Sequence, residues 1–153
     1  MLLETKRCII RNFKIEDIYG LYSILRDQEV MKYIEKEFTI EDTEKFLLEN
    51  ALIENPLVFA IVNKEDYELI GQLIFHLYDR NSYEVGWIFD KKYWNKGLAS
   101  EMTKELIKYS KKKNIYSLII ECDPKQKASI KIAEKYGFSL IKDDELLVYE
   151  HVL

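Results

Sequence analysis

The sequence predicts an α/β fold of the α+β kind, a mixed β-sheet with helices packed against it. Three observations predict it. Segments of strand and helix character run in the order strand, helix, helix, three strands, helix, strand, helix, two strands. Ser117–Cys122 (SLIIEC) is a nearly unbroken apolar run, the pattern of a strand covered on both faces. Ser82–Glu101 (SYEVGWIFDKKYWNKGLASE) passes from an apolar, aromatic strand through a polar turn into a helix. The 153 residues are expected to make one domain, 1–153, without internal repeat, low-complexity tract or linker.

Arg7–Phe13 (RCIIRNF) reads as the first strand. Ile15, Ile18, Leu21, Tyr22 and Leu25 then mark an amphipathic helix with a polar start at Lys14–Asp17. Asp27–Phe38 reads as a connection holding short helical pieces. Thr39, with Asp42 three positions on, resembles an N-cap, and the helix it opens carries Phe46 and Leu47 and closes before Pro56. Leu57–Asn63 and Leu69–Tyr78 read as strands, with Gly71 marking a bulge or a close backbone approach. Asp79–Ser82 reads as a four-residue hairpin loop into the central strand, Tyr83–Phe89. Leu98, Met102, Leu106 and Tyr109 or Ser110 line one side of the helix after Gly97. Ala128–Tyr136 is a helix whose end at Gly137 suits a left-handed C-cap. Phe138–Lys142 and Leu146–Val152 complete the sheet, and the exposed edge of that last hairpin, at Leu146–Val152, could pair with a second copy.

Composition narrows the function. Apolar residues are 48% of the chain and charged residues 33%, as in soluble globular proteins. No run approaches the roughly 18 apolar residues a membrane helix needs. The start, MLLETKRCIIRNF, has early charges and no small-residue cleavage site, so a cytoplasmic location is expected. A net charge of −4 speaks against a nucleic-acid surface. Cys8 and Cys122 lie in strand-like runs as reduced core thiols, and His76 and His151 stand isolated, so no metal site is expected.

The turn before Gly97 carries chemistry. The first N–H groups of a helix lack intrahelical partners and gather partial positive charge. A phosphate can sit there, with Gly97 and Ala99 leaving room and Lys91, Lys92 and Lys96 at the rim. The stretch is no Walker loop, and GxGxxG is absent.

Trp94-Asn95-Lys96-Gly97-Leu98-Ala99 resembles the Q/R-x-x-G-x-G/A segment of the GNAT superfamily of acetyl-CoA-dependent N-acetyltransferases. The wider run Tyr93–Glu101 is most similar to the branch of ribosomal-protein alanine acetyltransferases (RimJ/RimL-like), with Trp94 in place of the usual Gln or Arg. Asp123–Ser129 (DPKQKAS), followed by Glu134–Phe138 (EKYGF), resembles the family's N-x-x-S…K-x-G-F ending. The resemblance covers nearly the whole chain. It implies a GNAT-like mixed, mostly antiparallel sheet of six to seven strands flanked by about four helices, with acetyl-CoA as cofactor.

Acetyl transfer from a thioester to an amine needs a held cofactor, a neutral amine, a stabilised oxyanion and a protonated leaving thiolate. By resemblance, Asn95, Lys96, Gly97, Leu98, Ala99 and Ser100, with Trp94, hold the cofactor phosphates, while main-chain groups near Trp87 and Phe89 pair with its pantetheine arm. Gly86 would mark a bulge that frees one N–H for the thioester oxygen. Gln126, standing where asparagine is usual, would bond the arm, and Ser129 matches a serine that bonds the cofactor sulfur.

For the base, Glu121 comes first, because partial burial at the end of an apolar strand would raise its pKa. Glu84 on the central strand is the second candidate, and water could serve a weakly basic amine. The tyrosine that many members place seven residues after the Asn/Gln position is here Ala133. Tyr136, three residues on, does not replace it by spacing. The acceptor pocket is expected between the first two helices and the last hairpin, with Tyr33, Tyr78 and Trp87 as substrate contacts and Tyr22, Glu35 and Glu37 as further lining. The implied acceptor is a small-molecule or peptide amine. The alternative is a non-catalytic module that senses acyl-CoA.

Overall fold

The computed structural model describes residues 3–153. Eight strands form one sheet among these residues: β1 (Leu3–Glu4), β2 (Cys8–Arg11), β3 (Val58–Asn63), β4 (Leu69–Asp79), β5 (Ser82–Phe89), β6 (Ser117–Cys122), β7 (Ser139–Asp143) and β8 (Leu147–Val152). The helices are α1 (Ile18–Leu25), α2 (Gln28–Met31), α3 (Ile40–Asn50), α4 (Leu98–Lys112) and α5 (Lys127–Lys135). The spatial order is β1-β2-β3-β4-β5-β6-β8-β7. Every neighbouring pair is antiparallel except β5–β6, which is parallel. The mixed, mostly antiparallel sheet is as expected; β1 and the four-residue α2 bring the counts above seven strands and four helices.

The period-two alternation of the strands divides the core. Leu73, Phe75, Val85, Leu118 and Ile120 join Met102 and Leu106 of α4 on one face. Val58, Ala60, Val62 and Ile88 meet Leu21, Ile24 and Leu47 under α1 and α3 on the other. The Thr39 cap forms as expected, its hydroxyl accepting from Asp42 N–H at 3.1 Å while Asp42 accepts from Thr39 N–H at 2.9 Å.

Three local expectations are corrected. The β4–β5 hairpin turns on two residues, Arg80 and Asn81, because Asp79 already pairs with Ser82; the extra residue is absorbed as a bulge at Tyr78. Gly86 makes no bulge, since the β4–β5 register runs unbroken from Leu77–Tyr83 to Gly71–Phe89. The outer edge of the last hairpin is β7, not Leu146–Val152, because β8 is flanked by β6 and β7. Gly71 fulfils both readings. The β3–β4 register skips Ile70 beside it, and a Cβ at Gly71 would come within 2.3 Å of the Ile88 carbonyl oxygen.

Candidate active site

The sheet parts at its centre. β5 and β6 pair only at Ser82–Ser117, Tyr83–Leu118 and Glu84–Ile119. Val85–Phe89 and Ile120–Cys122 continue without pairing to each other, so a wedge opens toward the end of β5. The Asp90 N–H donates to Ile70 of β4, so by alternation the N–H and C=O groups of Val85, Trp87 and Phe89 face the wedge. The Phe89 carbonyl accepts from the Trp94 indole N–H at 3.0 Å. Trp94 thus braces the turn that follows β5, a job its sequence position did not announce.

That turn leads to the start of α4. Asn95 and Gly97 both have positive φ, 58° and 75°, and Gly97 is the N-cap. Glycine carries no side-chain acceptor, so the N–H groups of Leu98, Ala99 and Ser100 point outward uncapped. Two clamps hold the first turn. Arg7 of the β1–β2 segment donates its backbone N–H and its Nε to the two Glu101 carboxylate oxygens, both at 2.7 Å, and its second guanidinium arm to the Lys96 carbonyl at 2.8 Å. On the other side the Ser100 hydroxyl lies 2.7 Å from the Tyr136 hydroxyl and accepts from Lys135 Nζ at 2.8 Å. Sequence reasoning missed Arg7, Lys135 and Tyr136 here; Tyr136 is off the family's tyrosine spacing, yet its phenol reaches the α4 terminus. Ala133 is fully buried, in the α5 core.

The ionisable groups gather on the opposite face of the wedge. Glu84 shares the parity of Ile88, and Glu121 lies opposite Leu118, Ile120 and Cys122, so both carboxyls project on the α1–α3 side. His76 is the register partner of Glu84, and its Nε2 lies 3.3 Å from Glu84 Oε2. Burial pushes the Glu84 carboxyl above the usual range; the His76 charge opposes that push and the Glu121 charge adds to it. Tyr78 donates its O–H to Glu121 Oε1 at 2.7 Å, a bond that, with some burial, pushes the phenol up to about 12. His76 was missed as a site residue. The hairpin register was the signal that could have found it.

The remaining candidates are dispersed. The Trp87 side chain packs with the α4–α5 core, across the sheet from Glu84 and Glu121. Tyr33 stands in the 32–38 connection with its ring beneath Lys32 Nζ, and Tyr22 lies beneath Arg26. Glu35 and Glu37 line a separate open cleft with Phe38, Phe46 and Asn50, which Tyr33, Tyr78 and Trp87 do not line. Ser129 is partly buried in the first turn of α5, and the Gln126 side-chain oxygen accepts from the Asp123 N–H at 2.8 Å. No cluster of metal-ligand type occurs among the described residues.

Comparison with known proteins is consistent across sequence and fold. The model of the Acetyltransferase (GNAT) domain matches residues 7–139. YnaD of Bacillus subtilis (strain 168), named as an uncharacterized N-acetyltransferase, is 36% identical over 140 residues, covering 90% of this chain and 82% of YnaD. The crystal structure of a GNAT-family acetyltransferase from Bacillus anthracis superposes with a TM-score of 0.88 at 30% identity, over 98% of this chain and 97% of that one. The Microcin C7 self immunity acetyltransferase MccE, solved with acetyl-CoA and AMP, shares the fold, with a TM-score of 0.82 at 16% identity over 97% of this chain and 93% of that one. The chain is therefore a member of the GNAT family of acetyltransferases.

Proposed function

We propose that the chain moves an acetyl group from acetyl-CoA directly to a primary amine, with both substrates bound together. The observation that carries this reading is the wedge: strand groups at Val85, Trp87 and Phe89 face a gap that opens toward the uncapped start of α4. The residues fit the cofactor. An extended polyamide arm can add to the β5 edge, and a pyrophosphate can accept from Leu98, Ala99 and Ser100 N–H beside Lys96. Bound there, acetyl-CoA supplies the activated thioester. Gly97 keeps side-chain bulk away from the anion, and Trp94 holds the end of β5 in place. Lys135 adds a cation beside Ser100.

The amine arrives as an ammonium, and Glu84 and Glu121 give it two carboxylates at the wedge. One of them would remove a proton and free the nitrogen lone pair for the thioester carbon. As the C–N bond forms the C–S bond breaks, and the leaving thiolate would take up the second amine proton and depart as a thiol. A covalent relay through cysteine is disfavoured. Cys122 is 3% exposed, it faces the core away from Glu121, and burial pushes its thiol up. The acceptor is a small-molecule or peptide amine, and the acidic pair favours one that carries positive charge.

Calorimetric titration of acetyl-CoA, followed by an amine screen for CoA release, tests the reading. Gly97→Ala and Gly97→Glu share the cost of a side chain at positive φ, roughly 1–2 kcal/mol, so their difference isolates the glutamate at the anion site. Binding retained in folded Gly97→Ala and lost in folded Gly97→Glu supports the cradle. Absence of binding to the folded wild type overturns the reading. Binding without turnover for any amine would instead favour an acyl-CoA sensor.

A further inference from the structure

We propose that His76 is a positioning residue, one that holds the Glu84 carboxylate ionised and fixed in direction for the acceptor amine. The inference deepens the amine-transfer reading and rests on it for its catalytic meaning.

The geometry begins with the ring's far nitrogen. His76 Nδ1 lies 3.1 Å from the Leu77 carbonyl oxygen, which can only accept, so the contact is attractive when Nδ1 carries the hydrogen. That bond sets the ring plane from behind and turns Nε2 toward Glu84 Oε2, 3.3 Å away. Both residues sit on adjacent strands in direct register, where the backbone permits little drift. The order carbonyl, imidazole, carboxylate is that of a functional group oriented by a second residue, itself oriented by a third.

The electrostatics give the pairing a purpose. The Glu84 and His76 side chains are only 22% and 26% exposed. Glu121, on β6, faces Glu84 with like charge, and Tyr78, on β4, satisfies Glu121 rather than Glu84. Burial and Glu121 both favour a protonated Glu84, which could not accept a proton. When protonated, His76 opposes them, and its contact with Oε2 leaves the Oε1 side toward the amine. In the step itself one ammonium N–H bond breaks and one Glu84 O–H bond forms. The amine keeps its electron pair for the acetyl carbon.

The test follows the Glu84 side-chain carboxyl by NMR titration in wild type, His76→Ala and His76→Gln, alongside pH profiles of kcat/KM. Glutamine can still donate to Glu84 but carries no charge. The expected result is an upward move of the Glu84 midpoint in His76→Ala, partly reversed in His76→Gln. Turnover falls below that of wild type, and the loss narrows as pH rises through the raised Glu84 midpoint. Acetyl-CoA affinity stays unchanged. A Glu84 midpoint that does not move in folded His76→Ala, or a loss that is flat with pH, overturns the proposal. A wild type that turns over no amine while the midpoint still moves overturns the transferase reading and leaves the His76–Glu84 pairing standing.

Discussion

Arg7 and Glu101, 94 residues apart, meet through two 2.7 Å hydrogen bonds at the first turn of α4. The contact ties the start of β2 to the proposed phosphate cradle, and the third bond, to the Lys96 carbonyl, holds the turn itself. Burial alone would raise the Glu101 carboxyl, but bonds from Thr5 and Arg7 hold it below its usual range. Its contribution to stability is therefore present above the ordinary glutamate value and is lost as pH falls through the lowered one. Arg7→Ala should weaken acetyl-CoA binding about fivefold, equivalent to about 1 kcal/mol, with a smaller effect on unfolding because the arginine is 44% exposed. Calorimetry and urea denaturation measure the two. A large loss of stability with unchanged binding would count against a role at the cradle.

Glu84→Gln should melt at a higher temperature than wild type at pH 8. A carboxyl raised in the folded state contributes stability that is complete below its ordinary value, 4.5, and is lost as pH rises through the raised one. The difference between variant and wild type should open across that window and vanish in acid. Thermal melts in a pH series would show it. An identical pair of melting curves at pH 8 would count against a burial cost on the ionised carboxyl.

Tyr78 offers a spectroscopic handle on Glu121. Its phenol is pushed up to about 12 chiefly by the bond to that carboxylate. In Glu121→Gln the Tyr78 ring signal should titrate nearer the ordinary phenol value of 10. If the midpoint stays near 12, the 2.7 Å contact is not what sets it.

Thr39→Ala should destabilise the protein by about 1 kcal/mol, since the hydroxyl caps α3 at its first turn. The cap's bonds stay within residues 39–43, so acetyl-CoA affinity should be unchanged. Denaturation and calorimetry on the same preparation test both halves of the statement.

What could be read in the chain depended on range. Thr39 and Asp42 are three residues apart, and their mutual bonds need only local geometry. Gly97, the α4 stripe and the β6 run were likewise local patterns. Glu84 and His76 sit at an intermediate range, where one hairpin register joins them; reading Asp79–Ser82 as a four-residue loop hid that pairing. Arg7 and Glu101 carry no signal at all, because any of many charges could have met across so long a separation. The bulge expected at Gly86 failed for a physical reason. The strand does not need to buckle to free its backbone groups when its neighbour simply diverges. The edge assigned to Leu146–Val152 failed because β8 crosses back to pair with β6, leaving β7 outside.

The three-pair junction between β5 and β6 also bears on how the molecule opens. Most ladder bonds lie within β1–β5 or within β6–β8, and few cross the middle, so the sheet has a seam. Helix α4 and the apolar core bridge the seam, whereas backbone bonding does so only at its narrow end. The segment from β6 to β8 is thus set up as a separable unit of local unfolding, whose amides should exchange with solvent sooner than those of β3 and β4. A ligand lying along β5 would act as a missing rung between the two halves. Hydrogen exchange would then slow on β6 and β8, beyond any residue the ligand touches, and the protein would carry its record of occupancy in the cohesion of its own sheet.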